Sequence, residues 1–173
     1  MEAEMTMATK VGQFLASHNI DFSLVKHRHT ASSFNSALSA HVPSSQVAKA
    51  VILRDIGGDY LMAVVPSNKH VLIGEINRQT GKQYYLLAEH ELSTLFQDCE
   101  PGAIPSLGQI YGMDMLVDDL LFEQEQLYIE SGDHMNLINL DKRQFGKAVG
   151  SLPHSHISGY SFKEGPLFER RDL

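Results

Sequence analysis

A single lysine interrupts an otherwise apolar run in the first half of the chain. The stretch VAKAVILR, residues 47–54, places Lys49 among valine, alanine, isoleucine and leucine. If this stretch is a β-strand, Lys49 shares a face with Val47 and Val51, because alternate side chains point to the same side. The lysine then either carries its amine out to water from a strand end or points into a pocket. In a pocket its ammonium, with three donors, would bind a phosphate or a developing negative charge.

A glycine- and proline-rich segment has the composition of a binding loop. The motif GAIPSLG, residues 102–108, lies in a long stretch between two apolar runs. Gly102 and Gly108 permit backbone conformations closed to other residues, so main-chain amides can point into a cleft and stabilise an oxyanion. Pro105 has no N–H and can only stiffen the loop. The alternative is a plain connector, although loops of this length in compact domains are often functional.

The third candidate is the turn SGDH, residues 131–134. Gly132 makes the turn, so Asp133 or His134 can project from its rim. A histidine in that position could hydrogen-bond a substrate amine or act as a base near neutral pH. The alternative is an exposed turn histidine without a function.

The remaining histidines raise the question of a metal site. HRH (27–29) and HSH (154–156) each place two imidazoles on one face of an extended strand. The sequence contains no HExxH motif and no nearby carboxylate that completes a recognisable ligand set. Its one cysteine, Cys99, rules out a Cys-rich zinc site and is flanked by acids that disfavour a thiolate. There is no GxSxG motif for a serine nucleophile. We therefore expect neither a metal nor another cofactor.

Composition limits the partners and the location. A formal net charge of −7 over 173 residues argues against the broad phosphate-coating surface that duplex-binding proteins use. Local basic clusters at 26–29, 68–70 and 141–147 could still hold one end of a nucleic acid. No segment approaches the roughly 20 apolar residues of a membrane span, and the acidic N-terminus is unlike a secretory signal. Together with the single cysteine, these features predict a cytoplasmic protein without a membrane partner.

The hydrophobic pattern predicts alternating helices and strands in the order α-β-α-β-β-α-β-α-β-β-β-α. An amphipathic helix is expected from Met5 to His18, and AKAVILRD, IGGD and YLMAVVP form a hairpin with a Gly-Gly turn. Both hairpin strands are apolar throughout, so both faces should be covered. This order indicates an α/β fold with a mixed sheet or open barrel and helices outside. Residues 1–150 are predicted to be the domain, and residues 151–173 a C-terminal tail.

The order and spacing of these motifs resemble the YbaK family, the stand-alone relatives of the editing domain inserted in bacterial prolyl-tRNA synthetase. The resemblance rests on the lysine that opens the hairpin, the loop PGAIPSLG, MLVDDLL, and YIESGDHMNLINL before a final helix. It runs from about Phe14 to Val149. It implies a mixed sheet closing into a barrel-like core with helices packed outside. It also implies hydrolysis of the ester that joins a wrong amino acid to tRNA.

The resemblance further implies a site built around Lys49, with the loop from Gly102 lining a pocket and the turn up to His134 flanking it. These three are the candidate catalytic residues. The candidates for contacts with the substrate are His29, Ala50, Ala103, Ile104, Pro105, Ser106, Asp118 and Gly132. The expected partner is the acylated 3′ end of an aminoacyl-tRNA, and a synthetase is a second candidate partner.

Two positions depart from the pattern that the family commonly shows. Ala50 follows the lysine where Thr, Ser or Asn is common, and Ser106 follows Pro105 where a Ser-Pro or Pro-Pro pair is often found. Both fall where the amino-acid moiety would be discriminated, so Ala, Ser and Cys all remain candidates, with tRNA-Pro as the expected carrier. A diverged member that binds tRNA or a synthetase without hydrolysis is the main alternative. A metal hydrolase built on the histidines is the third.

Overall fold

Five α-helices and ten β-strands alternate along residues 7–160, which are the residues that this computed structural model describes. The helices are α1 (Thr9–Ser17), α2 (Ser33–Ala40), α3 (Ile73–Thr80), α4 (Glu89–Leu95) and α5 (Lys142–Val149). The strands are β1 (Ser23–Lys26), β2 (Val47–Asp55), β3 (Tyr60–Pro66), β4 (His70–Val71), β5 (Tyr84–Leu86), β6 (Asp114–Asp118), β7 (Gln126–Glu130), β8 (Asn136–Asp141), β9 (His154–Ser155) and β10 (Ser158–Gly159). The predicted alternation is confirmed, and the additions are three two-residue strands. The predicted helix start at Met5 lies outside the described residues.

Eight of the strands form one mixed sheet in the order β1-β8-β7-β2-β3-β6-β9, with β5 pairing with β2 as well. The β2–β7, β3–β6 and β6–β9 pairs are parallel, and the remaining pairs of this sheet are antiparallel. The mixed α/β fold expected from the sequence is confirmed. Within residues 7–160 the end strands β1 and β9 do not pair with each other, so the sheet is not seen to close into a barrel.

The β2–β3 hairpin lies at the centre of this sheet and is covered on both faces, as its continuous apolar pattern predicts. On one face Ile52 and Val64 join the main core, which includes residues of α1 and α5. On the other face Leu53 and Val65 pack with Ile76 of α3 in a second cluster. A charged side chain on this hairpin therefore has little room to avoid apolar neighbours.

Local capping explains several element boundaries. Ser32 caps α2 and Asp141 caps α5, each by accepting a hydrogen bond from a main-chain amide of the first turn. Gly81 ends α3 in the left-handed conformation. The side chain of Gln144 does not complete a capping box with Asp141. It accepts a hydrogen bond from the Asp21 amide at 2.9 Å instead, which ties the segment before β1 to α5.

In the first ten residues of the predicted tail, β9 joins the edge of the large sheet beside β6, and β10 pairs with β4 in a separate two-stranded sheet. Ile157, between these strands, is fully buried in the second cluster. Residues 161–173 lie outside the described residues. No described helix has the length and apolar character needed to cross a membrane.

Candidate active site

Lys49 occupies a half-buried position on β2, opposite Val65 of β3. On the same side of the strand, Val47 packs in a cluster with Ala37 of α2, and Val51 packs against the α3 cluster. The lysine side chain thus lies between two apolar clusters. Its Nζ reaches the segment after β3, where it donates a hydrogen bond of 2.7 Å to the Lys69 carbonyl. The ammonium is therefore held at one end of the hairpin by a main-chain oxygen.

Asp118 lies two strands from Lys49 on the same face of the sheet. The register pairs Lys49 with Val65 and Ala63 with Leu116, and Val65 and Asp118 each stand two residues further along on the same side of their strands. Asp118 is fully buried, and its two oxygens accept hydrogen bonds from the amides of Leu120 at 2.9 Å and Ile157 at 3.0 Å. In this structure the carboxylate holds the C-terminal segment in place next to the row that contains Lys49.

The glycine–proline loop packs directly on β2. Ser106 is 1% exposed, and its Oγ donates to the carbonyl of Ala48, the neighbour of Lys49, at 3.4 Å. Ile104 lies in the main core, against which Ala50 packs from β2. Since Ala50 and Lys49 are consecutive on a strand, their side chains point to opposite faces. Ala50 therefore contributes to the core under the loop.

The loop carries main-chain amides suited to an anion. The Ala103 amide closes a turn onto the Glu100 carbonyl at 3.1 Å. Within residues 7–160 the amides of Gly102 and Ile104 donate to no protein group, although Ile104 is only 7% exposed. Buried main-chain N–H groups nearly always have a partner. These two amides could therefore bind an oxyanion from the substrate.

Three segments converge at Gly102, which adopts a φ of 80°. A β-carbon on this residue would lie 2.6 Å from the Ala31 carbonyl oxygen and 3.0 Å from Nε2 of His134. The Gly132 carbonyl accepts a hydrogen bond from the Glu100 amide at 2.7 Å. The segment before α2, the glycine–proline loop and the β7–β8 turn therefore meet in one cluster, where a glycine is required at position 102.

His134 is buried in this cluster, being 2% exposed. The prediction that it projects from the rim of its turn is wrong, because its ring lies inside the cluster, with Nε2 3.0 Å from the position of a β-carbon on Gly102. Its Nε2 donates to the Pro101 carbonyl, and its Nδ1 lies 3.9 Å from Oε2 of Glu130. His29 lies on the outer side, with its ring 5.9 Å from that of His134 and its Nε2 2.8 Å from Oε2 of Glu100.

Glu130 is the functional candidate that sequence reasoning missed. It is 1% exposed, and burial raises the pKa of its carboxyl to about 7, with a further increase from Asp133. The hydroxyls of Ser36 and Ser33 lower this pKa to a smaller extent. A sequence signal was available, since an acid at the end of an apolar strand stands four residues before a histidine.

Cys99 and the paired histidines provide no second reactive centre. The Cys99 thiol lies 3.3 Å from the Tyr111 hydroxyl, and burial raises its pKa to about 12. His154 pairs through Nδ1 with Asp119 at 2.6 Å. Among residues 7–160 no three His, Cys, Asp or Glu side chains are grouped closely enough to hold a metal ion.

A cavity of about 410 Å³ lies away from these residues. Its lining includes Leu61, Tyr84 and Met115. Leu61 stands at the start of β3, whereas Lys49 pairs with Val65 near the end of that strand. None of the predicted site residues lines this cavity.

The structure places the predicted residues in two groups and one separate position. The loop cluster contains His29, Gly102, Gly132 and His134. The second group consists of Lys49 and Ala50 on β2 with Ile104 and Ser106, which contact β2 from the loop, where Ala103 and Pro105 are buried as well. Asp118 is separate, two strands away. The Lys69 carbonyl, which accepts from Lys49, carries no sequence signal, because every residue offers the same main-chain oxygen whatever its side chain.

Comparison with known proteins connects this chain to one family. The family model of the aminoacyl-tRNA editing domain matches residues 26–148. Among solved structures, the hypothetical protein APE2540 superposes with a TM-score of 0.75 at 22% identity, covering 87% of this chain and 99% of its own. A protein described as a proposed trans-editing enzyme for prolyl-tRNA synthetase gives a TM-score of 0.75 at 15% identity, covering 88% of this chain and 96% of its own.

A third structural match is to part of a longer chain. A proposed signal transduction protein from Marinobacter aquaeolei VT8 superposes with a TM-score of 0.72 at 16% identity, over 90% of this chain and 31% of its own. At these identities the structural matches establish the fold. No curated protein sequence is similar enough to this chain to count as a match.

Proposed function

This chain belongs to the aminoacyl-tRNA editing domain family, and we propose that it is a trans-editing hydrolase that deacylates mischarged tRNA. One observation carries the proposal beyond the family assignment. Two loop amides, those of Gly102 and Ile104, are unengaged within residues 7–160. Their loop is hydrogen-bonded through Ser106 to the strand that bears Lys49. The loop amides can bind the oxyanion of the ester carbonyl, and the Lys49 ammonium can bind a phosphate. Together they suit an aminoacyl ester of the terminal nucleotide of a tRNA.

The proposed reaction is attack of water on the ester carbonyl between the amino acid and the terminal ribose. The tetrahedral intermediate carries a negative oxygen, which the amides of Gly102 and Ile104 would stabilise. Loss of one such donor typically lowers the rate by about 10²–10³. The attacking water gives up a proton, and the departing ribose oxygen takes one up. The ribose 2′-hydroxyl can help to relay it. The products are the free amino acid and a tRNA with a free 3′ end.

Lys49 acts in this proposal as an anchor. Lysine side chains ordinarily stay charged at neutral pH, so they lack the lone pair that a general base needs. The Lys49 ammonium is held at the end of the hairpin by the Lys69 carbonyl. It would bind the terminal phosphate or ribose and so fix the carbonyl for attack. Correct placement of reacting groups is itself a large contribution to rate.

The proposed substrates carry a small amino acid, namely Ala, Ser or Cys, on tRNA-Pro. Ala50 faces the core, and the Ser106 hydroxyl is engaged with the Ala48 carbonyl. Neither departure from the family pattern therefore places a new polar group in the site. Selection would rest on size, and a hydrophobic pocket distinguishes one methylene by only about 1–3 kcal/mol. We expect discrimination among these three amino acids to be modest.

The proposal needs little basic surface. The acylated 3′ end would approach the loop, while the clusters at 26–29 and 142–147, together with Lys69, would steer the acceptor stem. Binding through a few phosphate contacts is weak and falls as salt increases. A net charge of −7 is compatible with this local mode of recognition.

The test is deacylation of Ala-, Ser-, Cys- and Pro-tRNA(Pro) and of Ala-tRNA(Ala) by the full chain, with spontaneous hydrolysis subtracted. We expect turnover of at least one mischarged tRNA(Pro), no turnover of Pro-tRNA(Pro), and rates that a chelator does not change. Turnover that a chelator abolishes would favour a metal hydrolase instead. Absence of turnover across the panel would contradict the proposal.

The second candidate is a diverged member that binds tRNA or a synthetase without hydrolysis. The engagement of the Ser106 hydroxyl with the Ala48 carbonyl favours it, because this removes a polar group from substrate recognition. Filter binding of uncharged and mischarged tRNA separates the two candidates. A binding protein would retain the 3′ end and leave the ester intact, whereas the hydrolase would release the amino acid.

A further inference from the structure

Glu130 and His134 form a buried pair behind the glycine–proline loop. Both are almost inaccessible, at 1% and 2% exposure. The Nδ1 of His134 and Oε2 of Glu130 are 3.9 Å apart, about 1 Å longer than a hydrogen bond. Within the described residues neither oxygen of Glu130 nor this nitrogen meets the geometry of a hydrogen bond, although the Ser33 and Ser36 hydroxyls lie close enough to lower the pKa of Glu130. Buried polar atoms left unpaired are costly, and one proton between Nδ1 and Oε2 would pair those two atoms.

The contact on the other side of the imidazole fixes its tautomer. The Pro101 carbonyl can only accept a hydrogen bond, so Nε2 of His134 carries a hydrogen. In the neutral ring Nδ1 then has a lone pair directed toward Glu130. A protonated Glu130 can donate to it, and a carboxylate facing an imidazolium holds the same single proton. If that proton is lost, a buried negative charge faces a lone pair.

We propose that Glu130 is a positioning residue that shares one proton with His134 and thereby holds the glycine–proline loop in place. The connection to the loop is direct. Nε2 of His134 donates to Pro101 and lies 3.0 Å from where a β-carbon on Gly102 would be. The consequence for catalysis rests on the proposed function, since the Gly102 amide is one of the proposed oxyanion donors. The effect of Glu130 on the position of the loop does not depend on the proposed function.

The groups around the pair determine when the proton is lost. Ser33 and Ser36 of α2 face Glu130 with hydroxyls that favour its charged form, and Asp133 on the turn disfavours that form. On the outer side of His134 lie His29 and its partner Glu100. Burial outweighs the hydroxyls and raises the pKa of Glu130 to about 7. The loop should therefore lose its support as the pH rises through neutrality.

Nuclear magnetic resonance of the ¹⁵N-labelled full chain tests this without any substrate. Between pH 5 and 9 we expect the signals of the Gly102 amide and of Nδ1 of His134 to shift with one common midpoint, and Nε2 of His134 to carry a hydrogen at both ends of this range. In Glu130→Gln, whose amide can donate to Nδ1 but cannot ionise, the Gly102 transition should disappear while the fold is kept. Glu130→Leu, which lacks the donor, should displace the Gly102 signal at every pH.

The matched control is His29→Asn, which removes the other nearby imidazole and should leave the Gly102 transition in place. The proposal is overturned if the transition persists in Glu130→Gln, if it disappears in His29→Asn, or if the wild type shows none. Deacylation adds an independent readout. The ratio of the Glu130→Gln rate to the wild-type rate should rise from pH 6 to 8.5. Absence of deacylase activity, with the Gly102 transition intact, would refute the proposed function and leave the positioning role standing.

Discussion

Replacement of Gly102 by alanine should be severely destabilising. Alanine in the left-handed region costs about 1–2 kcal/mol, and φ at this position is 80°. The new β-carbon would also lie 2.6 Å from the Ala31 carbonyl oxygen. This oxygen belongs to the main chain and cannot move aside as a flexible side chain would. Overpacking of this kind costs about 1–3 kcal/mol. The expected loss in the free energy of unfolding is therefore about 2–5 kcal/mol.

Gly112 provides the matched control, because its φ is 72° and a β-carbon there would meet nothing within 4 Å. Gly112→Ala should lose only the conformational part, about 1–2 kcal/mol. Urea unfolding followed by circular dichroism measures both variants, and deacylation should fall much further in Gly102→Ala. Equal losses of stability in the two variants would refute the reasoning, since the close approach of three segments at Gly102 would then impose no constraint.

Three further outcomes follow from single contacts. The Cys99 thiol, with its pKa raised to about 12, should react with iodoacetamide at pH 8 far more slowly than a free cysteine, and fast alkylation would show that it is not buried. Asp141→Ala should cost about 1 kcal/mol in urea unfolding by removing the cap on α5, and an unchanged midpoint would show that the cap contributes nothing. Because the pKa of Glu130 is raised from its ordinary 4.5 to about 7, its stabilising effect is complete below pH 4.5 and is lost as the pH rises through 7. Relative to Glu130→Gln, the wild type should lose about 3 kcal/mol across that range, and parallel pH profiles would contradict this assignment.

The sequence predicts those structural features that depend on neighbouring residues in the chain. Ser32 and Gly81 bound α2 and α3 through a side-chain oxygen and a left-handed conformation, which are properties of single residues. The β2–β3 hairpin was also predictable, because two apolar runs joined by a short Gly-Gly turn are a strong hairpin signal. The mixed sheet followed from the order of these elements.

Long-range contacts were not predictable in the same way. His134 was expected at the rim of its turn, yet it is buried, because Pro101, distant in sequence, provides the acceptor for its ring. Glu130 was overlooked because a terminal strand acid is ordinarily exposed, and only its tertiary surroundings bury it. Asp118 was placed among substrate contacts, but its partner Ile157 belongs to a segment without sequence periodicity. In each case the residue that determines the side-chain environment is more than 30 positions away in the sequence or belongs to another helix or strand.

The central claim is that Lys49 anchors a substrate whose ester the loop amides help to hydrolyse. The most direct test compares kcat/KM of Lys49→Ala with that of Lys82→Ala on the mischarged tRNA that the wild type hydrolyses best. Lys82 is a suitable control because it is 45% exposed and pairs with Asp55 and Asp59. Removal of a buried charge contact costs about 2–5 kcal/mol, so Lys49→Ala should lose about 30-fold or more while Lys82→Ala stays near the wild type. Equal activity of the two variants would contradict the account.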